Sequence, residues 1–182
     1  MDGADAVLIT HEHPDHYFPD HLARTDAPIL TIEAVAKRIR DEVPDVAERL
    51  TVVSPGESFE AAGLPVRAVG ELHAVIHPDL PRFDNSGFVI EVGGTRLYHP
   101  GDALTPAGGP VDVLLLPVHA PWSKISEVAD FSRTVGARRS IAIHDGLLND
   151  TGHGIVGTVL HGLLDTDEHS YERVVPGSDV SF

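Results

Sequence analysis

Cysteine is absent from this chain of 182 residues, and basic residues are few. Without a thiol, the chain cannot form a disulfide scaffold, a cysteine nucleophile, an iron–sulfur cluster or a thiolate zinc finger. Its 13 Lys and Arg stand against 28 Asp and Glu, which gives a formal net charge of −15. Because nucleic-acid phosphates and anionic membranes are repelled by such a charge, we expect neither of them as a partner.

Long apolar runs are also absent, so the sequence predicts no membrane-spanning helix. Residues 1–5 are acidic and do not resemble the basic start of a signal peptide, which favours a cytoplasmic protein. The length suggests one domain, residues 1–182. A domain of this size buries roughly 70% of its unfolded surface and needs no disulfide or metal merely to fold.

Short β-branched runs alternate with segments of helical periodicity along the chain. Residues 6–10 predict a buried strand, and residues 155–164 predict a late helix. Gly93 and Gly94, between two alternating runs, predict a hairpin. The other predicted elements are strands over 28–32, 50–54, 64–69, 88–92, 95–98, 111–118, 140–143 and 171–175, and helices over 33–43 and 126–135. Hairpins combined with β–α units predict a layered α/β or α+β fold.

The most distinctive segment is THEHPDH, residues 10–16, which directly follows the first predicted strand. His11 and His13 are two residues apart in extended chain, so both can face one metal ion. The proline after them forces a turn, beyond which Asp15 and His16 can face a second ion. Imidazole and carboxylate suit Zn²⁺, Mn²⁺ or Fe.

Two other interpretations of this segment are weaker. A helical His-Glu-x-x-His metalloprotease motif does not fit, because Asp15 stands where the second His belongs and Pro14 blocks the helix. A solvated polar loop would leave three His and an Asp beside an apolar strand without a reason to be there.

The segment resembles the His-x-His-x-Asp-His signature of the metallo-β-lactamase superfamily, which also follows a buried strand. The later parts of that signature have matches here in the same order: an isolated His73, Asp102 in a Gly-Asp turn, and His144 at the end of a late strand. The resemblance implies a four-layer αββα sandwich of α/β (α+β) class with two divalent ions, Zn²⁺ being expected and Mn²⁺ or Fe being alternatives. It implies the following ligands: His11, His13 and His73 for one ion, Asp15, His16 and His144 for the other, and Asp102 between them.

Within the superfamily, the segments HEHPDH, HPGD and IHD resemble the branch that contains ascorbate-6-phosphate lactonase-like proteins. The resemblance implies a hydrolase that acts on a small ester, lactone or phosphoester through hydroxide activated by two metal ions. The site would be electropositive and so able to take an anionic small molecule. Asp15 would orient the hydroxide, His77 would face the substrate or transfer a proton, and His119 would do so or support a ligand.

One feature departs from the family pattern. Members of the superfamily have several strands before the histidine motif, whereas only residues 1–10 precede it here. We therefore expect an N-terminally shortened sandwich, whether as a fragment, through a misassigned start or by nature. The alternatives are a truncated or degenerate metal-binding domain without turnover, and a phosphodiesterase or nuclease of the same superfamily, which the negative charge disfavours. No pattern in the sequence indicates an oligomeric state.

Overall fold

Two β-sheets lie face to face at the centre of this computed structural model, which describes residues 3–181. The first sheet has three parallel strands in the order β1 (Val7–Ile9), β2 (Ile29–Thr31) and β3 (Leu50–Val52). The second sheet has seven strands in the order β10 (Ser170–Glu172), β9 (Arg139–Ile143), β8 (Val113–Pro117), β7 (Thr95–His99), β6 (Gly87–Val92), β5 (Leu64–Val69) and β4 (Ser58–Ala61). Strands β4 to β7 are antiparallel neighbours, and β7 to β10 are parallel.

Helices cover the outer faces of both sheets. They are α1 (Pro19–Leu22), α2 (Glu33–Glu42), a 3₁₀ helix (Pro44–Arg49), α3 (Ile125–Val135) and α4 (Asp150–Leu164). On the first sheet, Val35 and Ile39 of α2 are fully buried in one cluster with Ile29 of β2. On the second sheet, α3 and α4 enclose a larger apolar core. Among the described residues, none of these helices is both long and apolar enough to cross a bilayer.

The core between the two sheets follows the period-two alternation of the strands. Val7 and Ile9 point from β1 toward α2, whereas Leu8 between them packs toward the second sheet. Leu30 of β2 packs toward the second sheet in the same way, in one cluster with Phe88 of β6. The molecule therefore has the layer order helix, sheet, sheet, helix, which confirms the predicted αββα sandwich.

Two of the differences from the sequence prediction have local reasons. Helix α4 begins five residues earlier than predicted, because the Asn149 side chain caps it by accepting a hydrogen bond from the Gly152 amide. Glycines in its first turns conceal the helical pattern. Strand β4 was not predicted, because its hairpin with β5 turns at Ala62 and Gly63, both of which have positive φ, and alanine rarely adopts that conformation.

The strand directions bring five strand ends to one edge of the molecule. Strands β5 and β7 both run antiparallel to β6, so they point the same way, and β8 and β9 continue parallel to β7. The end of β1 joins them from the other sheet, because the Ser86 amide donates a hydrogen bond to the Thr10 carbonyl. The loops that leave these five strands therefore meet in one place.

Gly87 provides a test of how closely this edge is packed. A Cβ at Gly87 would lie 2.9 Å from both the carbonyl oxygen of His99 and Cα of Pro100, which are backbone atoms and cannot rotate away. We predict that Gly87→Ala lowers the free energy of unfolding by about 1–3 kcal/mol, measured by urea denaturation. The control is Gly109→Ala, where nothing lies within 4 Å. Equal stability of the two variants would contradict the prediction.

Candidate metal centre

The loop after β1 and the loops after β5 and β7 contribute one group of potential metal ligands. His11, His13, His73 and Asp102 place one ligand atom each within 4.8 Å of all the others. Nε2 of His11 lies 3.1 Å from Nδ1 of His13, as expected for two imidazoles that face a common point. His11, His73 and Asp102 are buried, so this group lies on the inner side of the centre.

A second group lies next to the first and is more open. It consists of Asp15, His16 and His144, whose ligand atoms also lie within 4.8 Å of one another. Asp102 joins the two groups, since its Oδ1 lies 3.2 Å from Nε2 of His16 and its Oδ2 lies 3.2 Å from Nε2 of His144. The structure therefore brings all seven predicted ligands together around one carboxylate.

Several of these ligand atoms are buried and have no hydrogen-bond partner among residues 3–181. They are Nε2 of His73, Nε2 of His144 and Oδ1 of Asp102. A buried polar atom without a partner costs about 1–3 kcal/mol, and three of them in one place need an explanation. Nitrogen and carboxylate oxygen atoms that face one another at these distances have the chemistry of a divalent metal site. The His/Asp cluster can thus hold a metal ion.

Backbone carbonyls set the tautomers of two of the histidines. Nδ1 of His73 donates a hydrogen bond of 2.6 Å to the Ala74 carbonyl, and Nδ1 of His144 donates one of 2.6 Å to the His119 carbonyl. Since a carbonyl can only accept, each Nδ1 carries a proton, and Nε2 is the atom of each ring that faces the centre and can bind a metal. His144 also has φ of 56°, a conformation that a non-glycine residue rarely adopts.

Burial and the central carboxylate control the protonation of the cluster. Burial lowers the pKa of His11 to about 2 and also lowers the pKa of His13, so both imidazoles are neutral and able to bind metal at neutral pH. Burial alone would raise the pKa of Asp102, but the neighbouring imidazoles, above all that of His144, hold it well below its usual range. The Asp102 carboxylate in turn raises the pKa of His144 to about 9.

The Asp102 turn is held by a residue that the sequence analysis missed. The Asn85 side chain accepts a hydrogen bond from the Asp102 amide and donates one to the Pro100 carbonyl. Gly101, between them, has φ of 64°, and a Cβ there would collide with Oδ1 of Asn85. Asn85 is buried, and no spacing or motif in the sequence relates it to the ligands, so only the folded chain reveals its role.

Trp122 is the other residue whose role becomes clear in the structure. Its Nε1 donates a hydrogen bond of 3.1 Å to Oδ2 of Asp102, and its ring packs edge-to-face on His73 with centroids 5.9 Å apart. This is the only tryptophan in the chain. Trp122 therefore supports one ligand by a hydrogen bond and another by packing.

The three residues with predicted catalytic roles, Asp15, His77 and His119, differ in how far they are exposed to solvent. The Asp15 side chain is 60% exposed and lies at the open side of the centre. His119 is half-buried, and its carbonyl is the group that holds His144. His77 lies on the loop after His73, 62% exposed, where its Nδ1 accepts a hydrogen bond from the Asp79 amide. The catalytic roles of these three residues stay predictions.

Comparisons with known proteins show which family and which relatives this chain is similar to. A family model described as the beta-lactamase superfamily domain matches residues 1–144. A protein of Mycobacterium tuberculosis is 39% identical over 171 residues, which cover 91% of this chain and 78% of that protein. A UPF0173 metal-dependent hydrolase of Thermococcus onnurineus is 29% identical over 125 residues, which cover 63% of this chain and 54% of that protein.

Solved structures show the same fold. A metallo hydrolase from the archaeon Ignicoccus hospitalis superposes with a TM-score of 0.68 at 20% identity. The match covers 98% of this chain and 79% of that one. At this level of identity the similarity establishes the architecture, which is the four-layer sandwich described above.

The hydrogen bond from Trp122 to Asp102 can be tested separately from the ligands. We predict that Trp122→Phe weakens Zn²⁺ binding roughly tenfold to a hundredfold, because phenylalanine retains the packing on His73 but cannot orient the carboxylate. Competition with a chromophoric chelator measures the affinity. The control is Lys124→Met, since Lys124 forms an ion pair with Glu127 and lies on the same loop. Unchanged affinity in Trp122→Phe would refute the role.

Proposed function

The chain belongs to the β-lactamase superfamily and is a metal-dependent hydrolase, and we propose that it uses two divalent ions to hydrolyse a small ester, lactone or phosphoester. The observation that carries this proposal is the pairing of two ligand groups on one buried carboxylate. Each group offers enough donors for its own cation, and Asp102 has an oxygen close to each group. We propose Zn²⁺ as the metal, with Mn²⁺ or Fe as alternatives, since all three accept imidazole and carboxylate.

The proposed ligands form the two groups described for the metal centre. His11, His13 and His73 would hold one ion, Asp15, His16 and His144 the other, and Asp102 would serve both. Divalent cations bound there supply Lewis acidity and lower the pKa of water, so that hydroxide is available near neutral pH. The two carboxylates balance only half of the charge of two such ions, which favours binding of an anionic group beside them.

The side chains around the centre would handle the protons. The exposed Asp15 carboxylate has its Oδ2 3.4 Å from Nε2 of His144, at the side of the centre that solvent reaches. From there it can orient a water molecule and accept its proton. We propose that His119 and the exposed His77 pass protons between this side and the leaving group. No serine or cysteine nucleophile is needed for this chemistry.

The metal content of the purified chain tests the ligand assignment. We predict about two equivalents of metal in the wild type after expression with Zn²⁺, and one equivalent or fewer in His13→Ala and in His144→Ala. Each variant removes an imidazole from a different group, so both should lose metal. Elemental analysis of dialysed protein gives the stoichiometry.

His21→Ala is the matched control for these variants. His21 is exposed, belongs to neither ligand group, and should leave the metal content unchanged. Full metal content in both His13→Ala and His144→Ala would contradict the ligand assignment. A wild type with a single equivalent would contradict the dinuclear proposal but leave a mononuclear site intact.

Turnover requires its own experiment. We predict that the metal-loaded chain hydrolyses at least one class in a panel of small esters, lactones, phosphomonoesters and phosphodiesters. Asp15→Asn should lower kcat roughly 10²- to 10⁴-fold while the fold is retained, because it removes the proposed proton acceptor. If the chain binds metal but hydrolyses no member of the panel, a metal-binding domain without turnover becomes the better description.

A further inference from the structure

A cavity of about 590 Å³ opens beside the inner ligand group. Its walls include the aliphatic side chains of Leu72, Val75 and Ile76, the ring of Trp122, and the Arg82 side chain. Sites for small organic ligands have volumes of roughly 300–1,000 Å³ and combine apolar walls with a few polar groups. The cavity has the size of such a site and combines these apolar side chains with polar groups, which contribute the larger part of its surface.

Residues of the cavity wall contact two of the proposed metal ligands. Trp122 in its wall donates to Asp102 and packs on His73, and Nε of Arg82 donates a hydrogen bond of 2.6 Å to the His73 carbonyl. Ala74 in the wall also donates from its amide to the Asp102 carbonyl. A molecule in the cavity would therefore lie next to side chains that hold two of the proposed metal ligands.

The apolar part of the wall is exposed to solvent. Leu72 is 41% exposed, Val75 is 51% exposed and Ile76 is 37% exposed, and all three belong to the loop that follows β5. Aliphatic side chains exposed together around a cavity are typical of a ligand-binding surface. An aliphatic or aryl group of a ligand would cover them.

Among the residues that the structure describes, Arg82 is the one charged group of the cavity lining without an oppositely charged partner. Lys124 and Glu127, both in the lining, form an ion pair of 3.1 Å and neutralise each other. Within the described part of the chain, Arg82 forms no ion pair, and its Nε bonds only a carbonyl. The lining thus has a local charge of opposite sign to the −15 of the whole chain. A guanidinium in this position matches a planar carboxylate through two parallel hydrogen bonds.

From these observations, and on the basis of the hydrolase function proposed above, we infer that the substrate is an organic anion with an apolar body and a carboxylate. Its aliphatic or aryl part would lie on Val75, Ile76 and Trp122, and its carboxylate would bind Arg82. The hydrolysed bond would then extend past Trp122 to the metal centre. Arg82 is a residue that determines specificity. A carboxylate fits better than a dianionic phosphate, because the described lining has one guanidinium as its single uncompensated charge.

Trp122 supplies the reporter for a binding experiment that does not require turnover. Its fluorescence would be followed during titration of the metal-loaded full chain with 4-phenylbutyrate and with the uncharged 4-phenylbutanamide. We predict that 4-phenylbutyrate binds the wild type roughly tenfold more tightly than it binds Arg82→Met. This is the effect expected when one charge-assisted hydrogen-bonded contact is lost. The amide should bind both proteins equally. Because a carboxylate also binds metal ions, the readout is this difference, which metal coordination alone does not produce.

Two further variants test whether the effect belongs to Arg82 and to the apolar wall of the cavity. Arg24→Met removes an exposed arginine outside the cavity and should bind like the wild type. Ile76→Glu places a charge on the apolar wall and should weaken both probes, with circular dichroism confirming that each variant is folded. The inference is overturned if Arg82→Met binds 4-phenylbutyrate as the wild type does, if Arg24→Met has the same defect, or if Ile76→Glu changes neither affinity. Binding without hydrolysis of any ester would contradict the proposed hydrolase and leave the cavity assignment standing.

Discussion

The buried carboxylate of Asp102 is the interaction on which the centre depends. Only 5% of its side chain is exposed, and imidazole nitrogens of His16, His73 and His144 lie within 3.5 Å of its oxygens. Burying a negative charge is costly unless positive charge compensates it. Without metal, the raised pKa of His144 supplies part of that compensation. Divalent cations would supply it fully and would also satisfy the buried nitrogens that have no hydrogen-bond partner.

Much of the surrounding structure serves to hold this carboxylate in place. The Asn85 side chain binds both sides of the Gly101 turn, and the backbone of that turn packs against Gly87 of β6. Trp122 orients one carboxylate oxygen from the opposite side. These contacts come from two segments that are distant in sequence, residues 85–87 and the loop with Trp122, so the position of Asp102 depends on how the loops of the second sheet pack. Neutral imidazoles such as His11 follow from the same burial, since desolvation lowers their pKa.

The charge of the molecule and the charge of its site have opposite signs. Overall the chain has a formal charge of −15, and the expectation that polynucleotides are not its partners rests on this charge. Locally, Arg82 and the proposed cations create a positive region beside an apolar wall. Long-range repulsion is screened within about 10 Å at moderate ionic strength, so a small anion can approach this region. The combination fits a small organic acid better than a polymer.

The sequence by itself determined most of the strands and helices, because periodicity and apolar runs depend on local chain geometry. The order of the layers followed from the resemblance of the histidine motif to a known family. The spacing in residues 10–16 likewise indicated metal chemistry, since alternate residues of an extended chain face one side. The start of α4 was predicted too late, because side-chain capping by Asn149 overrides the weak helical propensity of glycine. Only the tertiary structure decided the roles of Asn85, Trp122 and Arg82. Asn85 and Trp122 contact a ligand that lies on another loop, distant in sequence, and Arg82 lines one cavity together with Trp122. Which loops come together depends on the packing of the strands, and no local sequence pattern predicts it.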